Sequence, residues 1–223
     1  MYENPETFDG LNLGRVVLPD GSFIPVVDIF RYLGSLLQRN CSDEEDVDAR
    51  IKAAGAAFGA LRKPLFSSGQ IDLNAKRIVY VGIVISILLY GSEAWCLTER
   101  LYNRLRCFHA QCLRSMCRIN RYHSRLHRIS TRELLDRMKL RDLDYYVNRR
   151  QLRWAGHLAR MDMDRLPRKM LSSWVAHKRP RGAPEFTYGR GLRKSLKAVN
   201  VNYATWATQA QDRVGWREML DNI

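Results

Sequence analysis

Cysteine is scarce and odd in number, five in 223 residues. A chain of this length with five cysteines does not depend on a disulfide framework, and a reducing compartment is expected. Long apolar runs are missing too. The longest, residues 78–90, is 13 residues long and is broken by Gly82 and Ser86, which is too short to span a bilayer and fits a buried helix. Met1 is followed by Tyr-Glu-Asn-Pro-Glu, without a basic stretch or an apolar core of the secretory kind, so an intracellular protein, nuclear or cytoplasmic, is expected. No two aspartates are adjacent anywhere. Chemistry that needs paired carboxylates on two metal ions is therefore not expected of this chain alone.

Acidic side chains run short in one part of the chain only. Residues 1–75 carry 7 basic and 11 acidic groups, whereas residues 76–223 carry 30 and 12, so the net +14 lies entirely downstream. Such a segment suits a polyanion, because every phosphate neutralised releases a condensed counterion. Arginine outnumbers lysine 29 to 8, and a guanidinium can fork onto a phosphate or stack on a base. Nucleic-acid contact is placed ahead of the plainer reading, a generic basic protein, and ahead of a membrane surface. The 46% hydrophobic and 10% aromatic content is ample for a packed core.

Strand character comes first. Arg15-Val16-Val17-Leu18 and Ser22-Phe23-Ile24-Pro25-Val26-Val27 flank Pro19-Asp20-Gly21, predicting a β-hairpin, because Pro presets φ and Gly takes the left-handed position. Pro25 makes its strand an edge or a bulge. Residues 30–37 continue the strand character. From Asp43 the period turns helical. Asp43-Glu44-Glu45-Asp46 reads as a helix start with a solvated acidic face, and Val47, Ile51, Ala54, Phe58 and Leu61 recur at helical spacing until Pro64 stops the helix. Further helices are predicted over 73–90, 98–118 and 140–161, with a Ser130-x-x-Glu133 capping box before Leu134. A basic Pro/Gly linker lies near 177–191, and a helical pair is predicted over 191–199 and 203–219. The fold class expected is mainly α, with a short N-terminal β-hairpin.

Two helices carry aligned arginines. In the first, Leu101, Leu105, Phe108, Cys112 and Met116 fall within about 80° of arc, and Arg100, Arg104, Arg114 and Arg118 share a similar arc opposite. Glu99 is the one acid in that helix, so the charged face looks unmixed. In the second, Leu140, Leu143, Val147, Trp154, Leu158 and Met161 form the apolar stripe, with Trp154 read as core. Tyr146, Arg150, Arg153, His157 and Arg160 form a second stripe about 80° away, a mixture suited to phosphate contact and stacking. Lys178, Arg179 and Arg181 in the linker extend the basic set.

Cys107, Cys112 and Cys117, with His109, His123 and His127 nearby, pose the question of zinc. Five-residue steps turn each cysteine by about 140° on a helix, so the three cannot converge. A set of Cys112, Cys117, His123 and His127 stays open only if the helix breaks near Cys117; packed thiols are the preferred reading. Cys107 with His109 lacks an orienting third group for nucleophilic catalysis. No catalytic residue, metal or cofactor is expected.

Four strings in one order carry a family resemblance: Phe30-Arg31-Tyr32-Leu33-Gly34, then 87–95 (ILLYGSEAW), then 152–161 (LRWAGHLARM), then 210–217 (AQDRVGWR). Together they resemble the downstream end of a non-LTR, LINE-type retrotransposon reverse transcriptase. The resemblance implies a palm-end remnant over 1–40 with a primer-grip-like element at Tyr32, Leu33 and Gly34, a helical thumb over 41–118 and a basic helical connector over 119–223. It further implies RNA, DNA or an RNA/DNA hybrid as partner, together with the upstream palm and fingers of a parent RNA-directed DNA polymerase. The chain departs from the family in lacking the aromatic-x-Asp-Asp motif, and it has Gly182-Ala183-Pro184 and Tyr188 where the family tends to show Gly-Arg-Pro and a tryptophan. Asp142-x-Asp144, inside a helix, is not a substitute for the Asp pair. The alternative reading is a degenerate structural module that has lost its nucleic acid.

Overall fold

The computed structural model describes residues 2–3, 15–16, 18–22, 24, 27–172 and 187–222. It divides into two units, Met1–Ser42 and Asp43–Ile223.

In the first unit β1 (Tyr2–Glu3) pairs antiparallel with β2 (Arg15–Val16), and β3 (Ile29–Tyr32) with β4 (Ser35–Gln38). The second pair is a two-residue hairpin. Tyr32 faces Ser35 in the register, and both turn residues take positive φ, 46° at Leu33 and 86° at Gly34, the conformation whose twist matches two antiparallel strands. This corrects the expected single strand over 30–37, since the Leu-Gly dipeptide is a turn. The predicted Pro19-Asp20-Gly21 turn does form. Leu18 N donates to Ser22 O at 2.7 Å, Gly21 N donates to Leu18 O at 2.9 Å, and Gly21 has φ 81°. Residues 17, 23, 25 and 26 of its arms lie outside the described residues, and Arg15–Val16 pairs with Tyr2–Glu3 rather than across that turn.

The second unit is all helical among its described residues. Its helices are α1 (Glu44–Leu61), α2 (Leu73–Val79), α3 (Ser86–Leu88), α4 (Glu99–Met116), α5 (Arg121–Leu126), α6 (Thr131–Met138), α7 (Leu143–Ala159), α8 (Leu166–Ser172), α9 (Tyr188–Ala198), α10 (Trp206–Gln209) and α11 (Arg213–Asp221). Wider π turns extend α1 over Arg62–Phe66 and join α2 to α3 over Tyr80–Ile85. Pro64 thus does not stop the chain abruptly; a π turn takes in the residue that has no N–H to give.

Helix starts follow cap chemistry. Asp72, Thr98, Asn120, Ser130, Asp142 and Asp212 each accept a backbone N–H of the first turn through the side chain. Two of these caps correct the sequence reading. Asp142 starts α7 at Leu143 rather than 140, and Asp212 splits the last predicted helix into α10 and α11. Asp43 precedes α1 without capping it. Its carboxylate instead accepts Cys96 N at 2.6 Å, while Asp46, 3% exposed, accepts Trp95 Nε1 at 2.9 Å. The acidic run is therefore not a solvated face: two of its members bind the segment before α4.

Two apolar cores form within this unit. The first gathers Val47, Phe58, Phe66, Tyr80, Leu88, Leu105, Leu113, Met138, Leu143 and Val147 from α1 to the start of α7, and the second gathers Leu152, Ala155, Ala159, Leu192, Leu196, Trp206, Trp216 and Leu220. α7 belongs to both, its first half in one core and its second half in the other. A buried polar chain crosses the same helix. Gln151 Nε2 donates to Trp95 O at 3.2 Å, and Ser195 Oγ donates to Gln151 Oε1 at 2.8 Å. With Asp46 holding the Trp95 indole, this chain ties α1, α7 and α9 together.

Candidate nucleic-acid interface

The arginines predicted on α4 divide. Arg100 pairs with Glu44, and Arg104 pairs with Glu44 and Asp48. The unmixed basic face inferred from α4 alone is thus balanced by acids of α1 lying against it. Arg114 is half-buried in the wall of a separate cavity with Arg121 and Cys107. Arg118 is exposed in a left-handed conformation just beyond the end of α4, with φ 57°. Its charge, after burial, helps push down the ammonium of Lys76, which donates to Ser68 O at 2.7 Å.

The stripe on α7 has a different setting. Tyr146, Arg150, Arg153 and His157 line an open cavity of about 560 Å³, together with Val81, Ile85, Ser86, Glu93, Tyr145, Arg149 and Trp154. Arg149, Arg153 and His157 also line a second cavity of about 480 Å³, closed by Arg160 and by Arg213, Trp216 and Arg217 of α11. Sharing those three residues, the two cavities form one groove along α7. Arg150 and Arg153 make no ion pair among the described residues. Burial pushes the Arg150 guanidinium down from its ordinary value; Glu93 opposes that, and the charges of Arg153 and Arg149 add to it. A cation that is partly desolvated beside two others is a place where an anion lowers the energy.

Two other basic groups along the groove are held internally. Arg149 pairs with Asp221, and Arg160 Nη1 donates to Ala210 O at 2.6 Å. Tyr146 packs against the first core, and burial pushes its phenol up. Arg149, Arg213, Arg217 and Tyr145 were missed in the sequence reading. Arg149 stands next to the stripe, but the two α11 arginines reach the groove only through the packing of the second core.

Trp154 corrects its assignment to the core. It is half-buried on the groove wall, and its ring lies 5.4 Å from that of His157. Trp216 occupies the interior position instead, donating Nε1 to Leu152 O at 3.0 Å and lying against Gly156, where a Cβ would collide with its indole.

Lys178, Arg179 and Arg181 lie outside the described residues. Tyr32, Leu33 and Gly34 form the β3–β4 turn of the first unit. Cys112 is buried in the first core, where burial pushes its thiol up to about 12. His109 is held by Tyr80, whose hydroxyl lies 2.7 Å from Nδ1. His123 and His127 lie against each other with their rings tilted by 43° and the centroids 4.1 Å apart. Among the described residues, no three His, Cys, Asp or Glu side chains group as a metal site would require. Among the same residues, no helix is long and apolar enough to cross a membrane.

In comparison with known proteins, the chain is similar to an uncharacterized transposon-derived protein of Caenorhabditis elegans, 28% identical over 199 residues that cover 87% of this chain and 70% of that protein. No protein-family model matches the chain, and no solved structure matches it at a significant level.

Proposed function

We propose that this chain is a nucleic-acid-binding, downstream part of a non-LTR retrotransposon reverse transcriptase, gripping the template–primer backbone while the polymerase carboxylates belong to the parent enzyme. The observation that carries the reading is the α7 groove, where Arg150 and Arg153 lie one turn apart and neither is closed into an ion pair among the described residues, with Glu93 in the same lining offsetting only part of the effect of burial on Arg150. Phosphates are the groups such a pair accepts, and contacts of this kind position a duplex without reading its sequence. The transposon-derived relative supports the origin. The four ordered sequence strings support the assignment to a reverse transcriptase.

The test is the affinity of the purified chain for a short RNA/DNA hybrid. Replacing Arg150 and Arg153 by glutamine keeps helix propensity and should weaken binding by roughly ten-fold or more at fixed salt. The same change at Lys52 and Arg62, both exposed, should matter little. Equal losses in the two variants would reduce the interaction to general charge attraction. For the same reason that no Asp-Asp pair exists, the chain alone should not extend a primer with magnesium present.

A further inference from the structure

We infer that the α7 groove receives an unpaired strand, with a base stacked on the Trp154–His157 wall and the flanking phosphates on Arg150 and Arg153. This rests on the polyanion reading above and goes further, since a grip on duplex backbone needs no aromatic wall.

The case begins with Trp154. Two other tryptophans are anchored through the indole N–H: Trp95 donates to Asp46 at 2.9 Å and Trp216 to Leu152 O at 3.0 Å. Trp154 makes no such bond among the described residues and is only half-buried. Its ring lines the cavity with Arg150, Arg153 and His157, and the imidazole tilts toward it at 5.4 Å. Tyr145 and Tyr146 extend the aromatic lining, their rings edge to face at 5.2 Å. A wall of indole, imidazole and phenol with guanidiniums between them offers one surface for a base and another for its phosphates. Bases inside a duplex are stacked on one another and present only their edges, so such a wall is reached by an unpaired nucleotide.

Volume agrees. The cavity holding Trp154 is about 560 Å³ and continues into one of about 480 Å³, a size class that holds small organic ligands of a few rings. Arg153 and His157 line both parts, so a strand leaving the aromatic wall stays in a basic channel.

The experiment compares a single-stranded oligo(dT), the same strand with abasic sites throughout, which matches it in length and charge, and a blunt duplex of the same length, which carries twice the charge. The chain should bind oligo(dT) more tightly than the abasic strand by about five-fold or more, the scale of one base–aromatic stack. Trp154→Leu should abolish that preference while leaving abasic binding within about two-fold, because the arginines remain. His157→Ala, an exposed site, serves as the second variant should Trp154→Leu lower the melting temperature, and it should reduce the preference in part. Equal binding of normal and abasic strands by the unaltered chain overturns the stacking inference but leaves the polyanion grip standing. A preference that survives both substitutions overturns the assignment to this wall. No binding of any probe overturns both readings.

Discussion

His109 is the clearest case of a side chain whose chemistry is set by its surroundings. It is 3% exposed, its Nδ1 meets the Tyr80 hydroxyl at 2.7 Å, and burial holds its pKa down to about 4 from 6.5. Between those values the unfolded chain takes up a proton that the folded chain refuses, so stability falls as pH drops from about 6.5 towards 4. Linkage puts the loss at roughly 3 kcal/mol across the window. Unfolding free energies measured at pH 7.5 and pH 4.5 should therefore diverge less in His109→Gln than in the unaltered protein. Parallel pH profiles would contradict the assignment. Gly156 illustrates a different constraint. The Trp216 indole fills the place a Cβ would take, so Gly156→Ala should destabilise by about 1–3 kcal/mol through overpacking, lowering the melting temperature by a few degrees. A neutral or raised melting temperature would show that α11 shifts freely. The AGH of the third recognised string and the VGW of the fourth thus meet in space, a packing reason for residues that in sequence carried only a resemblance.

At the scale of elements, α7 shows how far periodicity reaches and where it stops. Leu143, Val147 and Leu158 were legible as a buried stripe, and all three are buried. Trp154 shares their arc but is half-exposed, because the buried side of the helix turns partway along. In the second half the interior is also formed by Leu152, Ala155, Gly156 and Ala159, which centre about 140° of rotation from the first stripe. Small residues give a weak hydrophobic signal, so a single-stripe reading passes over them. The Ser130 cap and the helix starts near Asp43, Leu73 and Thr98 were legible because such signals are local, whereas the short helices α5 and α8 and the caps at Asp142 and Asp212 were not read. The acids of α1 that meet Arg100 and Arg104 were not legible either, since they lie more than fifty residues upstream. The hairpin moved for a local reason: Leu33 in a left-handed turn lacks the Asn-Gly signature. That hairpin is a two-stranded sheet with Ile29, Phe30, Tyr32 and Leu37 all about half exposed. Isolated pairs of this length are marginal. Amides of β3 and β4 should exchange with solvent at least a hundred-fold faster than those of α4, on the scale of local against near-global opening. Equal protection would mean the strands have a buried partner.

For the molecule as a whole, charge is arranged rather than merely abundant. The acids of the first 75 residues include Glu44 and Asp48, which neutralise Arg100 and Arg104. Arg106 is likewise taken by Glu99 and Asp144. Net +14 therefore overstates the cations available to a ligand, whereas Arg150 and Arg153 in the α7 groove are held in no ion pair among the described residues. The dependence of hybrid binding on salt counts the counterions released when that pair neutralises phosphates. In a plot of log affinity against log salt, Arg150→Gln with Arg153→Gln should make the slope shallower by roughly two units, by the same amount for unrelated sequences. Lys52→Gln with Arg62→Gln should leave it unchanged. An unchanged slope in the groove variant, or an equal change in both, would contradict a grip located on α7.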